Sequence, residues 1–152
     1  MNPDVEIIAL EKRLGPGDFQ SLVSQADVIL DCSDNFATRH ALNRACVLQR
    51  KPLVSGAAIR FDAQLMVFDL SKPTSPCYAC LFPEDAQVEE VQCSTMGVFA
   101  PLTGVVGAMQ AMEAIKLVVD VGTPATLQIL DAKSAEWRSV RVKKDSACAV
   151  CG

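Results

Sequence analysis

Asp27-Val28-Ile29-Leu30-Asp31-Cys32-Ser33-Asp34-Asn35 joins an apolar run of strand length to the polar opening of a helix, and its reading decides the fold. Val28, Ile29 and Leu30 are consecutive rather than alternating, which suits a strand buried on both faces of a parallel sheet. Ser33 or Asp34 can cap the helix that follows, because a side-chain oxygen there accepts an N–H that the first turn leaves unpaired. That helix is expected from about Asn35 to Arg50, with Leu42, Ala45, Cys46 and Gln49 at helical spacing. Pro52-Leu53-Val54-Ser55-Gly56 is a second buried strand. Upstream, Val5-Glu6-Ile7-Ile8-Ala9-Leu10 reads as a strand and Gly15-Pro16-Gly17 as a break. Asp18 is the expected cap of a helix through Phe19, Leu22 and Val23. This order of strand, helix, strand, helix, strand predicts an α/β chain with a doubly wound parallel sheet.

The rhythm changes after residue 60. Gln64–Leu70 reads as a strand with no helix before it, and 71–76 is rich in turn formers. Pro83–Gln92 is polar and acidic, so an exposed loop is expected there. Pro101 is placed to open a long helix, and Gly122 to close it. Thr126–Asp131 and Trp137–Val142 form the expected hairpin, where Trp137 and Arg138 pack and pair locally. Two C-x-x-C pairs, Cys77-Tyr-Ala-Cys80 and Cys148-Ala-Val-Cys151, supply the four thiolates of a closed tetrahedral zinc site. Two disulfides, or cysteines that are merely buried, are the other readings. Zinc would tie the C-terminal residues back onto the middle of the chain.

A chain of 152 residues, half of them apolar and 21% charged, is one globular domain. The net charge of −4 argues against nucleic acid and against an anionic membrane as the main partner. Seven cysteines is an odd number, and Met1-Asn2-Pro3-Asp4 carries neither a basic nor an apolar leader. A reducing cytoplasm fits both observations. The apolar stretch 101–121 includes Gln110, Glu113, Lys116 and Asp120, which suits a buried helix rather than a membrane span.

Chemistry is expected where the first strand ends. Ligands of open α/β sheets bind beyond the carboxyl ends of the strands, and a helix N-terminus there favours phosphate. Asp34 is either a Mg²⁺ ligand beside a phosphate or simply a helix cap. Cys93 belongs to neither knuckle and is either a nucleophile on a loop or incidental. Cys32 and Cys46 lie in apolar patterns and read as core; His40 reads as a surface or capping residue. Neither G-x-G-x-x-G nor G-x-x-x-x-G-K-[ST] occurs. Gly104 and Gly107 fall within the long helix, where glycine permits close packing.

Several segments, in order, resemble the ThiF/MoeB/HesA family of sulfur-carrier-protein adenylyltransferases, bacterial relatives of ubiquitin-activating enzymes. They are Asp31-Cys-Ser-Asp-Asn35 with Arg39, Pro52-Leu-Val-Ser-Gly-Ala-Ala-Ile-Arg60, Cys77-Tyr-Ala-Cys80, Gly104-Val-Val-Gly107 with Gln110-Ala-Met-Glu113-Ala-Ile-Lys116, and Cys148-Ala-Val-Cys151-Gly152. The resemblance implies a Rossmann-like fold, structural zinc on Cys77, Cys80, Cys148 and Cys151, and use of Mg²⁺ and ATP. The reaction it implies is adenylation of the C-terminal Gly-Gly carboxylate of a ThiS- or MoaD-like sulfur carrier, in thiamin or molybdopterin biosynthesis. Asp34 would hold Mg²⁺ and phosphate, with Asn35 and Arg39 beside the nucleotide. Cys93 matches the crossover-loop cysteine that can bond covalently to the carrier in the thiamin branch. The family also implies a homodimer. Its members start earlier, with a glycine-rich ATP loop, so 1–152 is expected to be a partial adenylation domain, a fragment inactive alone. A non-catalytic, zinc-stabilised module that docks the carrier is the alternative.

Overall fold

A computed structural model describes residues 2–85, 93–122 and 125–152, apart from the side chains of Pro16, Cys93 and Ser94. Proline at its first position opens α1 (Pro16–Gln25), with Gly15 as N-cap. Asp18 serves this helix from its third position: its carboxylate accepts from the Gly15 N–H at 2.9 Å and from Lys12 Nζ at 2.7 Å. β1 (Ile29–Asp31) follows and leads into α2 (Phe36–Gln49). Asn35, rather than Ser33 or Asp34, caps α2, its side chain accepting from the Thr38 N–H at 2.8 Å. Arg50 ends α2 in the left-handed conformation (φ 52°), and Pro52 prevents further winding. β2 (Leu53–Ile59) and β3 (Asp62–Phe68) make a tight hairpin. The short turns α3 (Tyr78–Leu81) and α4 (Cys93–Met96) precede α5 (Ala100–Val118), and β4 (Thr126–Asp131) and β5 (Glu136–Arg141) complete the second expected hairpin.

The five strands lie in the order β1-β2-β3-β4-β5. Only β1 and β2 are parallel; the remaining neighbours run antiparallel. The sheet is therefore mixed, and one part of the expectation fails. Residues 5–10 form no strand, and Val5, Ile7, Ile8 and Leu10 are exposed. A strand needs a partner for its backbone N–H and C=O groups, and none of the described strands offers one to that segment. α5 likewise stops at Val118, before Gly122.

Helices cover both faces of the sheet, as sequence predicts for its inner strands. Leu53, Met66, Phe68 and Leu127 face α1, α2 and the first knuckle, packing with Phe19, Val23, Cys46 and Tyr78. The alternate residues face α5: Val54, Leu65 and Val67 with Met109 and Leu117, and Ala63 and Leu130 with Leu102 and Val106. This two-residue alternation places Ser55 toward α2 and Gly56 toward α5. β5, in contrast, is exposed along its whole length, so Trp137 does not pack as expected.

Candidate functional site

A cavity of about 590 Å³ opens beyond the carboxyl ends of β1 and β2. Cys32, Ser33 and Asp34 form one side, Gly56–Ile59 the floor, and Val106, Gly107 and Gln110 of α5 the opposite wall. Its position follows from the topology: β1 and β2 are parallel and both deliver their chain ends to the same place. Asp34 lies exposed at the rim, one residue before the cap of the 14-residue α2. Its carboxylate has no hydrogen-bond or ion-pair partner among the described residues. A carboxylate at a helix N-terminus, free and solvated, can hold a hard cation against a phosphate.

The residues behind the rim form a buried polar network. Asp31, 1% exposed, accepts from the Ser33 N–H (2.9 Å), Ser33 Oγ (2.6 Å), Ser55 Oγ (3.2 Å) and Arg39 Nη1 (3.4 Å). Arg39 also donates to Ser55 Oγ at 3.1 Å, to the Gly56 carbonyl at 3.2 Å and to the Ser33 carbonyl. The guanidinium thus fixes the ends of both parallel strands. It lines the cavity, yet both its Nη groups already have protein partners. Gln110 performs the same service from α5, donating to the Asp31 carbonyl (2.9 Å) and the Val54 carbonyl (3.1 Å). Cys32 is exposed rather than core, its thiol 3.4 Å from Gln110 Oε1. Cys46 is core as expected, and burial, with Asp31 nearby, pushes its thiol up to about 12.

An aromatic group closes the cavity on the α3 side. The Tyr78 ring packs against Phe82 (4.9 Å between centroids), His40 (5.3 Å) and Phe68 (6.1 Å). Burial pushes the Tyr78 phenol up to about 12, with the Arg39 guanidinium pulling the other way. His40 departs from the surface role expected of it. It is largely covered, stacked on Phe36, and its Nδ1 is buried without a hydrogen bond, 3.8 Å from Glu84. Burial holds its imidazole below the ordinary value, and Glu84 opposes that less strongly.

The four knuckle cysteines meet at one point. Their sulfurs lie within 4.8 Å of one another, with Cys77–Cys148 at 3.8 Å, Cys77–Cys80 at 4.0 Å and Cys80–Cys151 at 3.5 Å. Zinc–sulfur bonds of about 2.3 Å in a tetrahedron put sulfurs about 3.8 Å apart, so the set fits zinc. Backbone N–H groups of Cys77 (3.4 Å) and Asp145 (3.5 Å) already point at Cys80 Sγ, as they do around a bound thiolate. Burial raises the thiols of Cys77 and Cys151; at Cys148 burial pushes up as well, but hydrogen bonds from the backbone N–H groups of Val150 and Cys151 and from the Cys77 and Cys80 thiols together bring it below the ordinary value. A cation is what would let all four ionise together.

Cys93 is the first residue of α4, and its side chain, like residues 86–92 of the expected acidic loop, lies outside the described residues. Gly104 and Gly107 permit no close approach among the described residues: a methyl at either would meet nothing within 4 Å. The glycine that does is Gly56, whose open face receives Gln110 and Val106. Sequence reading missed Asp31, Ser55, Gly56, Tyr78 and Gln110 as builders of the site. The signal for two of them was present, since Asp31 ends an apolar run and Gln110 interrupts an apolar helix.

A mixed sheet with helices on both faces, a crevice at its parallel strand ends and a tetracysteine cluster define an α/β domain with two candidate sites. Comparison with known proteins gives its family. The ThiF family model matches residues 1–150, and the chain belongs to that family. Over its whole length it is 46% identical to the sulfur carrier protein ThiS adenylyltransferase of Escherichia coli and 40% identical to that organism's molybdopterin-synthase adenylyltransferase. Over 99% of its length it is 42% identical to the adenylyltransferase and sulfurtransferase MOCS3 of Drosophila grimshawi. The chain spans 60%, 61% and 34% of those three proteins. Among solved structures, Escherichia coli MccB with MccA-N7isoASN superposes with a TM-score of 0.74 at 19% identity, covering 95% of this chain and 46% of that one. MccB with ATP gives 0.68 at 20%, covering 91% and 44%. These likenesses carry the fold. No helix among the described residues is long and apolar enough to cross a membrane.

Proposed function

We propose that the chain provides the crevice and the cation-holding carboxylate for ATP-dependent adenylation of a ubiquitin-like sulfur carrier. In this reaction a carboxylate oxygen of the carrier's terminal glycine attacks the α-phosphorus of ATP. The bond to the β-phosphate breaks, pyrophosphate leaves, and an acyl-adenylate remains for later sulfur transfer. The observation that carries the reading is Asp34, unpaired at the rim of a nucleotide-sized cavity beyond two parallel strands. One relative is named an adenylyltransferase of the sulfur carrier protein ThiS and another an adenylyltransferase of molybdopterin synthase, which supports the substrate class. Asp34 would hold Mg²⁺, whose charge eases attack on a phosphoanhydride. Asn35 secures α2 beside it, and Arg39 serves by holding the crevice walls. Cys93 is the proposed point of covalent attachment to the carrier. The tetracysteine site is proposed to hold zinc in a structural role, and the chain to act as a homodimer.

One observation favours the non-catalytic alternative, a module that docks the carrier without chemistry. Among the described residues that line the cavity Arg39 is the one basic residue, and both its Nη groups are engaged within the protein. ATP–pyrophosphate exchange tests the catalytic reading. The assay takes the zinc-loaded chain, Mg²⁺ and a ThiS- or MoaD-like carrier ending in Gly-Gly. Exchange by the chain would overturn the expectation that it is inactive alone, and it should then fall by about 10²–10³ in Asp34→Asn, the usual loss when an electrostatic stabiliser is removed. Exchange indifferent to Asp34 would refute its role. Carrier binding with no exchange is the result expected both of the docking module and of a partial adenylation domain that is inactive alone.

A further inference from the structure

The tetracysteine site and the crevice are joined by one fully buried side chain. Asn43 projects from α2, its Nδ2 donating to Cys77 Sγ at 3.6 Å and its Oδ1 accepting from the Tyr78 N–H at 2.9 Å. Cys77 is a knuckle ligand, and Tyr78, 2% exposed, forms part of the crevice wall. The helix that carries Asn43 also carries Phe36 and Arg39 into the crevice and starts just after Asp34. A single carboxamide therefore touches a metal ligand, the backbone of a wall residue and the helix that presents the rim carboxylate.

We propose that Asn43 is a positioning residue that couples metal occupancy of the tetracysteine site to ligand binding in the crevice. The inference rests on the reading of the crevice as the Mg·ATP site. A metal-bound thiolate is a charged, fixed acceptor, and an N–H donated to it is stronger and better oriented than one donated to a neutral thiol. Metal on Cys77 thus pins the Asn43 amide, which pins Tyr78 against α2. Without metal the amide loses its anchor, and the wall at Tyr78 and the first turns of α2 gain freedom that a crevice ligand must then remove. Coupling of this kind is reciprocal at equilibrium: a ligand that prefers the pinned wall must tighten metal binding by the same factor, and with the metal's entry rate unchanged the gain is read as slower metal loss.

The test uses the full chain loaded with zinc. Equilibrium dialysis first measures Mg·ATP binding, and transfer of zinc to a colorimetric chelator is then timed with and without saturating Mg·ATP. Bound Mg·ATP should slow zinc loss at least about fivefold, the lower end of ordinary coupling. Asn43→Asp keeps the acceptor for the Tyr78 N–H and removes the donor to Cys77, so its zinc loss should be the same with and without Mg·ATP. Asn43→Ser, which removes both contacts with a smaller side chain, should behave likewise and covers the case in which the aspartate variant fails to fold. A purely structural asparagine would change the absolute rate but leave the ratio intact. Mg·ATP bound to the wild-type chain with no slowing of zinc loss overturns the coupling alone, as does a full ratio retained in a folded variant. No Mg·ATP binding by dialysis overturns the crevice reading, and the coupling with it.

Discussion

Alanine at position 56 would place a methyl 2.5 Å from Cδ and Oε1 of Gln110 and 2.8 Å from Cγ1 of Val106. Val106 cannot retreat, because it is packed against Ala63, Leu102 and Leu130. Gln110 can swing aside only by releasing the carbonyls of Asp31 and Val54. Overpacking costs about 1–3 kcal/mol, and each lost hydrogen bond about 0.5–1.5 kcal/mol, so Gly56→Ala should cost about 2–6 kcal/mol. For a domain of this size each kcal/mol moves the thermal midpoint by about 2–4 °C, so a fall of at least about 4 °C is expected. Urea and thermal unfolding of the zinc-loaded chain, followed by circular dichroism, provide the assay. Gly104 supplies the opposite sign: a methyl there meets nothing within 4 Å on α5, so Gly104→Ala should stabilise by about 0.8–1 kcal/mol through helix propensity. The double variant Gly56→Ala, Gln110→Ala should cost less than the two single changes summed, by about 0.5–3 kcal/mol, because the amide that obstructs the methyl is gone. A Gly56→Ala chain as stable as the parent, or strict additivity with Gln110→Ala, would refute the close approach of α5 to β2.

Arg39→Leu leaves the Asp31 carboxylate buried without its cation and should cost about 3–5 kcal/mol in urea unfolding; a loss under about 1 kcal/mol contradicts the network described. Cys148→Ser should free the C-terminal residues, lower zinc content and depress the thermal midpoint, and an unchanged midpoint with full zinc content would sink that expectation. His40 is held neutral mainly by burial, with its folded value below the ordinary 6.5, so the unfolded chain binds the extra proton first. The stability it contributes is complete above 6.5 and declines as pH falls from there toward the folded value. Thermal midpoints at about pH 7.5 and about pH 5.5 should therefore fall further apart in the parent than in His40→Phe, and equal differences would count against it.

The elements that were legible in the sequence are those whose burial repeats with a local period. β1, α2, β2 and β3 follow from apolar runs, a proline and a polar cap, and the second hairpin from alternation between turn formers. Val5–Leu10 misled because apolar content signals burial only where a neighbouring strand exists to receive it. The two halves of the tetracysteine cluster were legible, since C-x-x-C spacing carries the geometry of each pair within four residues. The crevice was only half legible. Asp34 could be placed from its position after a strand, but the network behind it joins Asp31, Arg39, Ser55 and Gln110, whose separations of up to 79 residues no local pattern encodes. Arg39 shows the limit most plainly: its chemistry suggests phosphate, and only the packing reveals that its donors hold the protein's own carbonyls.

The two halves of the cysteine cluster lie 71 residues apart, one before α5 and one after β5. Closing so long a loop costs entropy, which the contacts within it recover only after the sheet and α5 have assembled. The cluster should therefore come together late on the folding route, once β4 and β5 have formed. An interaction absent from the transition state slows escape from the native state without hastening arrival. Zinc should accordingly leave the refolding rate nearly unchanged and lengthen the lifetime of the folded chain, so that the metal acts as a lock on the finished structure rather than as a seed for it.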